Sequence, residues 1–99
     1  MGRVATLGHD ALKHALVVDD IATNRMILRA KLSAAYYGVV QAECGIEALE
    51  KVKKYQPDLI LLDVMMPDMN GFEVCERLKQ DSKTAHIPVV MVTALLEPG

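Results

Sequence analysis

Four oxygen-bearing side chains stand immediately behind short apolar runs. Asp19 and Asp20 follow Ala15-Leu16-Val17-Val18, Asp63 follows Leu59-Ile60-Leu61-Leu62, and Thr93 follows Val89-Val90-Met91-Val92. Three carboxylates gathered in one pocket repel each other, and at least one of their pKa values rises. A hard divalent cation relieves that repulsion. Oxygen-only ligands at a half-open site suit Mg²⁺, which keeps several waters and uses one or two carboxylates. A carboxylate neutralised in this way is a competent nucleophile toward phosphorus. A hydroxyl such as Thr93 can then bind a phosphoryl oxygen. Asp also caps helices and starts turns. That plainer role accounts for Asp20 or Thr23 ahead of a helix. It accounts poorly for Asp63, because the next helical stretch starts several residues later.

These side chains meet only if the runs lie side by side. None of the three runs alternates with polar residues, which is the pattern of strands buried on both faces. A weaker run, Val39-Val40-Gln41-Ala42, follows Gly38. Between the runs the period becomes helical. Leu28, Leu32 and Ala35 are so spaced from about Thr23 to Ala35, with Arg25, Arg29 and Lys31 interleaved. Ala48, Leu49 and Val52 form a stripe from Ile46 to Tyr55, and Val74, Cys75 and Leu78 repeat it from Phe72 to Gln80. Glu47 and Lys51 form an i, i+4 pair in the favourable direction. Pro57, Pro67 to Gly71 and Pro88 punctuate the elements. Strand and helix alternate throughout, so the spacing predicts a parallel α/β sheet with right-handed crossovers. In such a sheet ligands bind beyond the carboxyl ends of the strands, where Asp19, Asp20, Asp63 and Thr93 fall. Residues Met1 to His14 read as an N-terminal arm, in which Arg3 to Leu7 form either an extra strand or a disordered segment.

The chain has 99 residues, 52% of them hydrophobic and 24% charged, which fits one ordinary globular domain. Eleven Lys and Arg against 13 Asp and Glu leave a formal charge of -2, without the basic stripe of a nucleic-acid binder. The apolar runs are too short to span a bilayer, and no signal peptide follows Arg3, so a cytoplasmic location is expected. Cys44 and Cys75 lack metal-site spacing and read as reduced thiols packed as small hydrophobes. His9, His14 and His86 are scattered. Met65, Met66 and Met69 read as packing residues, and so do Tyr36 and Tyr37.

The segments Ala15-Leu-Val-Val-Asp-Asp20, Leu61-Leu-Asp-Val-Met-Met-Pro67 with Gly71, and Val89-Val-Met-Val-Thr-Ala94 resemble the receiver domain of two-component response regulators, the CheY-like family. The stretch Met65 to Cys75, with His86-Ile-Pro-Val-Val, is similar to the N-terminal receiver of PleD-type regulators, whose output is a diguanylate cyclase. The resemblance implies a flavodoxin-like fold of strand order 2-1-3-4 over residues 15–99. The fifth strand and last helices of the family would be missing, and with them the phosphate-pairing Lys. It implies that Asp63 is the phosphoacceptor, charged by a histidine kinase or phosphotransfer protein. Asp20 would hold Mg²⁺ directly, Asp19 through water, and Met65 through its main-chain carbonyl. Thr93 would bind the phosphoryl group, and small Ala94 would leave room for it. No enzymatic turnover beyond this self-phosphorylation is expected.

Two alternatives compete. A receiver scaffold could act as a non-phosphorylated interaction or dimerisation module, which the missing Lys favours. A haloacid-dehalogenase-type phosphatase would need a second Asp where Met65 stands, and a longer chain. With only one helix expected over one sheet face, and Val89 to Val92 at an edge, self-association as a two-fold dimer is also expected.

Overall fold

A computed structural model describes residues 12–92. Its elements alternate along the chain: β1 (Lys13–Val18), α1 (Ala22–Ala34), β2 (Tyr37–Ala42), α2 (Gly45–Tyr55), β3 (Leu59–Asp63), α3 (Gly71–Gln80) and β4 (Val89–Val92). The four strands form one parallel sheet in the order β2-β1-β3-β4. This is the architecture expected from the sequence, with β1 and β2 each starting two residues ahead of their apolar runs. The N-terminal segment Arg3 to Leu7 lies outside the described residues.

Register decides which side chains share a face. Leu16 lies beside Ile60, and Val18 beside Leu62. These four build the main core with Ala48 and Val52 of α2 and Val74 and Leu78 of α3. Val52 and Val74 are fully buried, and each such burial contributes roughly 1.5–3 kcal/mol. The helices α2 and α3 present their apolar stripes inward because Ala48 and Val52, like Val74 and Leu78, are four residues apart. Outside, Lys51 and Glu47 close an ion pair of 2.8 Å.

The opposite face carries Val17, with Gln41 and Leu61 in register on either side, and then Val90. Helix α1 packs there against β2 and β1. Its only buried residue is Leu28, and Val90 at the far side of this face is 46% exposed.

Some expectations are corrected. Ala35 lies beyond the end of α1 and is exposed, and so is Tyr36, which adopts a left-handed conformation with φ of 68°. The chain must reverse there to enter β2, and a residue in that conformation ends helices well. Cys75 packs partly against the core, but Cys44 sits exposed at the N-cap of α2. Met66 and Met69 are buried in the core, whereas Met65 points to solvent.

Candidate functional site

The strands β1 and β3 are neighbours and parallel, so their carboxyl ends lie together. Asp63 is the last residue of β3, and Asp19 directly follows β1. Carboxylate oxygens of Asp19, Asp20 and Asp63 all lie within 4.8 Å of one another. Among the described residues this is the one group of three acidic, histidine or cysteine side chains able to share a cation. His14 and His86 are exposed and belong to no such group, and His9 lies outside the described residues.

Asp19 is almost wholly buried and held at four points. Its N–H donates to the Ala42 carbonyl at 3.1 Å. One carboxylate oxygen accepts the Ile21 N–H at 2.9 Å, and the other accepts Asn24 Nδ2 at 3.3 Å. Its carbonyl accepts Arg25 Nη1 at 2.7 Å. Asp20, by contrast, is exposed. Neither Asp20 nor Thr23 caps α1: the N-cap is Ile21, without a side-chain hydrogen bond. The capping explanation for Asp20 therefore fails, and its carboxylate stays with the cluster.

Asp63 is half-buried, and its Oδ1 accepts the Met65 N–H at 3.1 Å. Burial pushes its carboxyl above the ordinary range. The Met65 N–H opposes this, while the charges of Asp19 and Asp20 and a hydrogen bond with Asp20 add to the rise. The rise has the direction expected from the sequence, but burial rather than carboxylate crowding is its larger cause. The donor set, all oxygen and partly desolvated, fits a hard divalent cation better than a soft one.

The loop after Asp63 is pinned at both ends. Val64 N–H donates to the Val92 carbonyl at 3.2 Å, and Gly71 N–H donates to the Val64 carbonyl at 3.0 Å. A Cβ at Gly71 would collide with the Asp63 carbonyl oxygen and reach 3.0 Å from Val64 Cα. Only glycine permits this approach. Asn70 then starts α3 with a reciprocal box: its Oδ1 accepts the Glu73 N–H, while Glu73 accepts the Asn70 N–H. Thr93 and Ala94, the remaining site residues expected from sequence, lie outside the described residues.

Sequence reasoning missed Asn24, Arg25 and Gln41. Arg25 reads as part of a charged outer face, yet it turns toward Asp19 and Gln41. The available signal was its spacing, six residues after Asp19 and so in the first turns of the following helix. The surface cleft of about 150 Å³ between α2 and the end of α3 includes no acidic-cluster residue. Its Lys53 and Arg77 answer the C-terminal dipoles of those helices.

Comparison with known proteins agrees with this geometry. A model of the response regulator receiver domain family matches residues 15–98. Response regulator PleD of Caulobacter vibrioides is 58% identical over 80 residues, which cover 81% of this chain and 18% of that protein. The chain thus spans less than a fifth of that relative. The crystal structure of the N-terminal domain of a receiver protein from Methanoculleus marisnigri superposes with a TM-score of 0.81 at 42% identity, covering 84% of this chain and 68% of that one. Response regulator TrrA of Thermotoga maritima, crystallised with Mg²⁺ and BeF, gives a TM-score of 0.77 at 34% identity, over 86% of this chain and 72% of that one.

Proposed function

The chain belongs to the response regulator receiver domain family of two-component signalling, and from that premise we propose that Asp63 accepts a phosphoryl group in a Mg²⁺-dependent reaction. The observation that carries this reading is the convergence of Asp19, Asp20 and Asp63 at the carboxyl ends of two adjacent strands. A carboxylate oxygen of Asp63 attacks phosphorus, the bond from phosphorus to the donor breaks, and an aspartyl phosphate forms. The donor is a histidine kinase, a phosphotransfer protein or a small acyl phosphate.

Asp20 and Asp63 would hold the cation directly, Asp19 through water, and Met65 through its carbonyl. The bound cation supplies charge neutralisation of the carboxylates and of the phosphoryl oxygens. Asp63 must be ionised to attack, and the mutual repulsion of the three ionised carboxylates is what the cation would relieve. Met65 N–H holds one Asp63 oxygen in place. Thr93 and Ala94 are assigned the phosphoryl hydrogen bond and the space beside it. The Mg²⁺ and BeF bound by the similar TrrA support this reading.

The domain works as a cytoplasmic signalling switch. In a longer parent, a diguanylate cyclase output is the one that similarity to PleD favours. The test is incubation with Mg²⁺ and acetyl phosphate, followed by mass measurement. Gain of one phosphoryl group, lost in Asp63→Asn, is expected. A folded chain that takes no label would replace this reading with the non-phosphorylated interaction module. Label persisting in Asp63→Asn would move the acceptor elsewhere.

A further inference from the structure

The acidic cluster is held from behind by a chain of hydrogen bonds that involves none of the acidic oxygens offered to a cation. Arg25 on α1 donates Nη1 to the Asp19 carbonyl at 2.7 Å and Nε to Gln41 Oε1 at 3.2 Å. Gln41 lies on β2 in register with Val17, two residues before Asp19. Its own carbonyl accepts Lys51 Nζ of α2 at 2.6 Å. Lys51 pairs with Glu47 at 2.8 Å, and Glu47 accepts the Glu43 N–H at 2.7 Å. One guanidinium thus ties the backbone after β1 to β2, and β2 is gripped in turn from the opposite sheet face.

We propose that Arg25 is a positioning residue for the acidic site, fixing the Asp19 backbone against Gln41 so that the Asp19 and Asp20 carboxylates stand where a divalent cation needs them. This rests on the reading of the cluster as the cation and phosphoacceptor site. The choice of partners matters. An arginine paired to a carboxylate of the cluster would compete with the cation for it. Arg25 instead bonds a main-chain carbonyl and a neutral amide, and among the described residues no salt bridge engages Asp19, Asp20 or Asp63. The guanidinium fork suits the task because its Nε and Nη1 donors are set rigidly apart. A lysine carries its donors on a single nitrogen and lacks this fixed separation.

The test uses the 99-residue chain with Arg25→Met, Arg25→Lys and Gln41→Leu, read by NMR. One arm titrates Mg²⁺. Loss of an outer-shell partner typically weakens metal binding by at least about tenfold, so Arg25→Met should raise the Mg²⁺ Kd by about that factor. Arg25→Lys should recover part of the loss, and Gln41→Leu should move in the same direction by less. The second arm follows amide exchange without metal. The Ile21 N–H, bonded to Asp19 Oδ1, should exchange faster in Arg25→Met, while Leu62 in the central strand stays unchanged. A merely structural role would speed both amides together and leave the Kd alone. If the unmutated chain takes up no Mg²⁺, the cation-site reading fails and the Ile21 exchange alone decides the latch. Gln41→Leu provides the same readouts should Arg25→Met not fold. Wild-type Kd and wild-type Ile21 exchange in a folded variant would overturn the proposal.

Discussion

Asp63 is the proposed phosphoacceptor, and its environment has a cost that can be measured. Its folded-state pKa is raised, chiefly by burial and further by Asp19 and Asp20. The folded protein therefore binds its proton more tightly than the unfolded chain. The stability this contributes is present below the unfolded pKa and is lost as pH rises through the raised folded value. The metal-free domain should accordingly melt lower as pH rises across the upper carboxylate range. Asp63→Asn should flatten that dependence and melt higher than the unmutated chain at neutral pH, as followed by circular dichroism. Mg²⁺ should restore the loss, because a ligand bound only by the native state stabilises it by mass action. Asp20→Asn should abolish most of that Mg²⁺ effect and Asp19→Asn less of it. A melting temperature indifferent to Mg²⁺ in the unmutated chain would count against a cation site.

Elements matter here through where they begin and end. Helix α3 starts close against β3 because Gly71 has no Cβ to strike the Asp63 carbonyl. Gly71→Ala should push the loop outward, move Met65 N–H away from Asp63, and slow labelling by acetyl phosphate several-fold while also lowering the melting temperature. Equal labelling rates for the two proteins would show that the loop tolerates the methyl group. The end of α1 points the other way. Tyr36 is 83% exposed yet holds a left-handed conformation, which costs a residue with a Cβ roughly 1–2 kcal/mol. Asparagine tolerates that region better. Tyr36→Asn should therefore stabilise the domain, by up to about 1 kcal/mol in urea unfolding.

At the scale of the whole sheet, the two faces are unequal among the described residues. One is covered by α2 and α3 and holds the continuous core. The other has α1 over β2 and β1, which leaves Leu61 half-buried and Val90 exposed. An apolar edge strand of this kind is a template for another chain. We expect concentration-dependent association through this face, seen by light scattering over a dilution series. Val90→Arg should weaken it. Met91 is the poorer test, because it packs toward the main core and its replacement would disturb the fold. A monomer at every concentration, with a cooperative melt, would show that the face covers itself.

The sequence alone determined the alternation of strand and helix, the parallel sheet and the three aspartates, because apolar runs without polar alternation admit few other arrangements. The Asn70-Glu73 box, a local motif of three-residue spacing, was legible too, yet reading Pro67 to Gly71 only as punctuation leaves it out. Only the tertiary structure decided that Asp20 is released from helix capping, that Arg25 turns inward to the Asp19 carbonyl, and that Val90 rather than Met91 faces outward. Each of these depends on a partner distant in the chain. Arg25 needs Gln41 on a strand one helix away, and Val90 needs the β3 register that sets it beside Leu61. Periodicity assigns a residue to an element, but the pairing of elements assigns it a neighbour, and the neighbour decides what its side chain does.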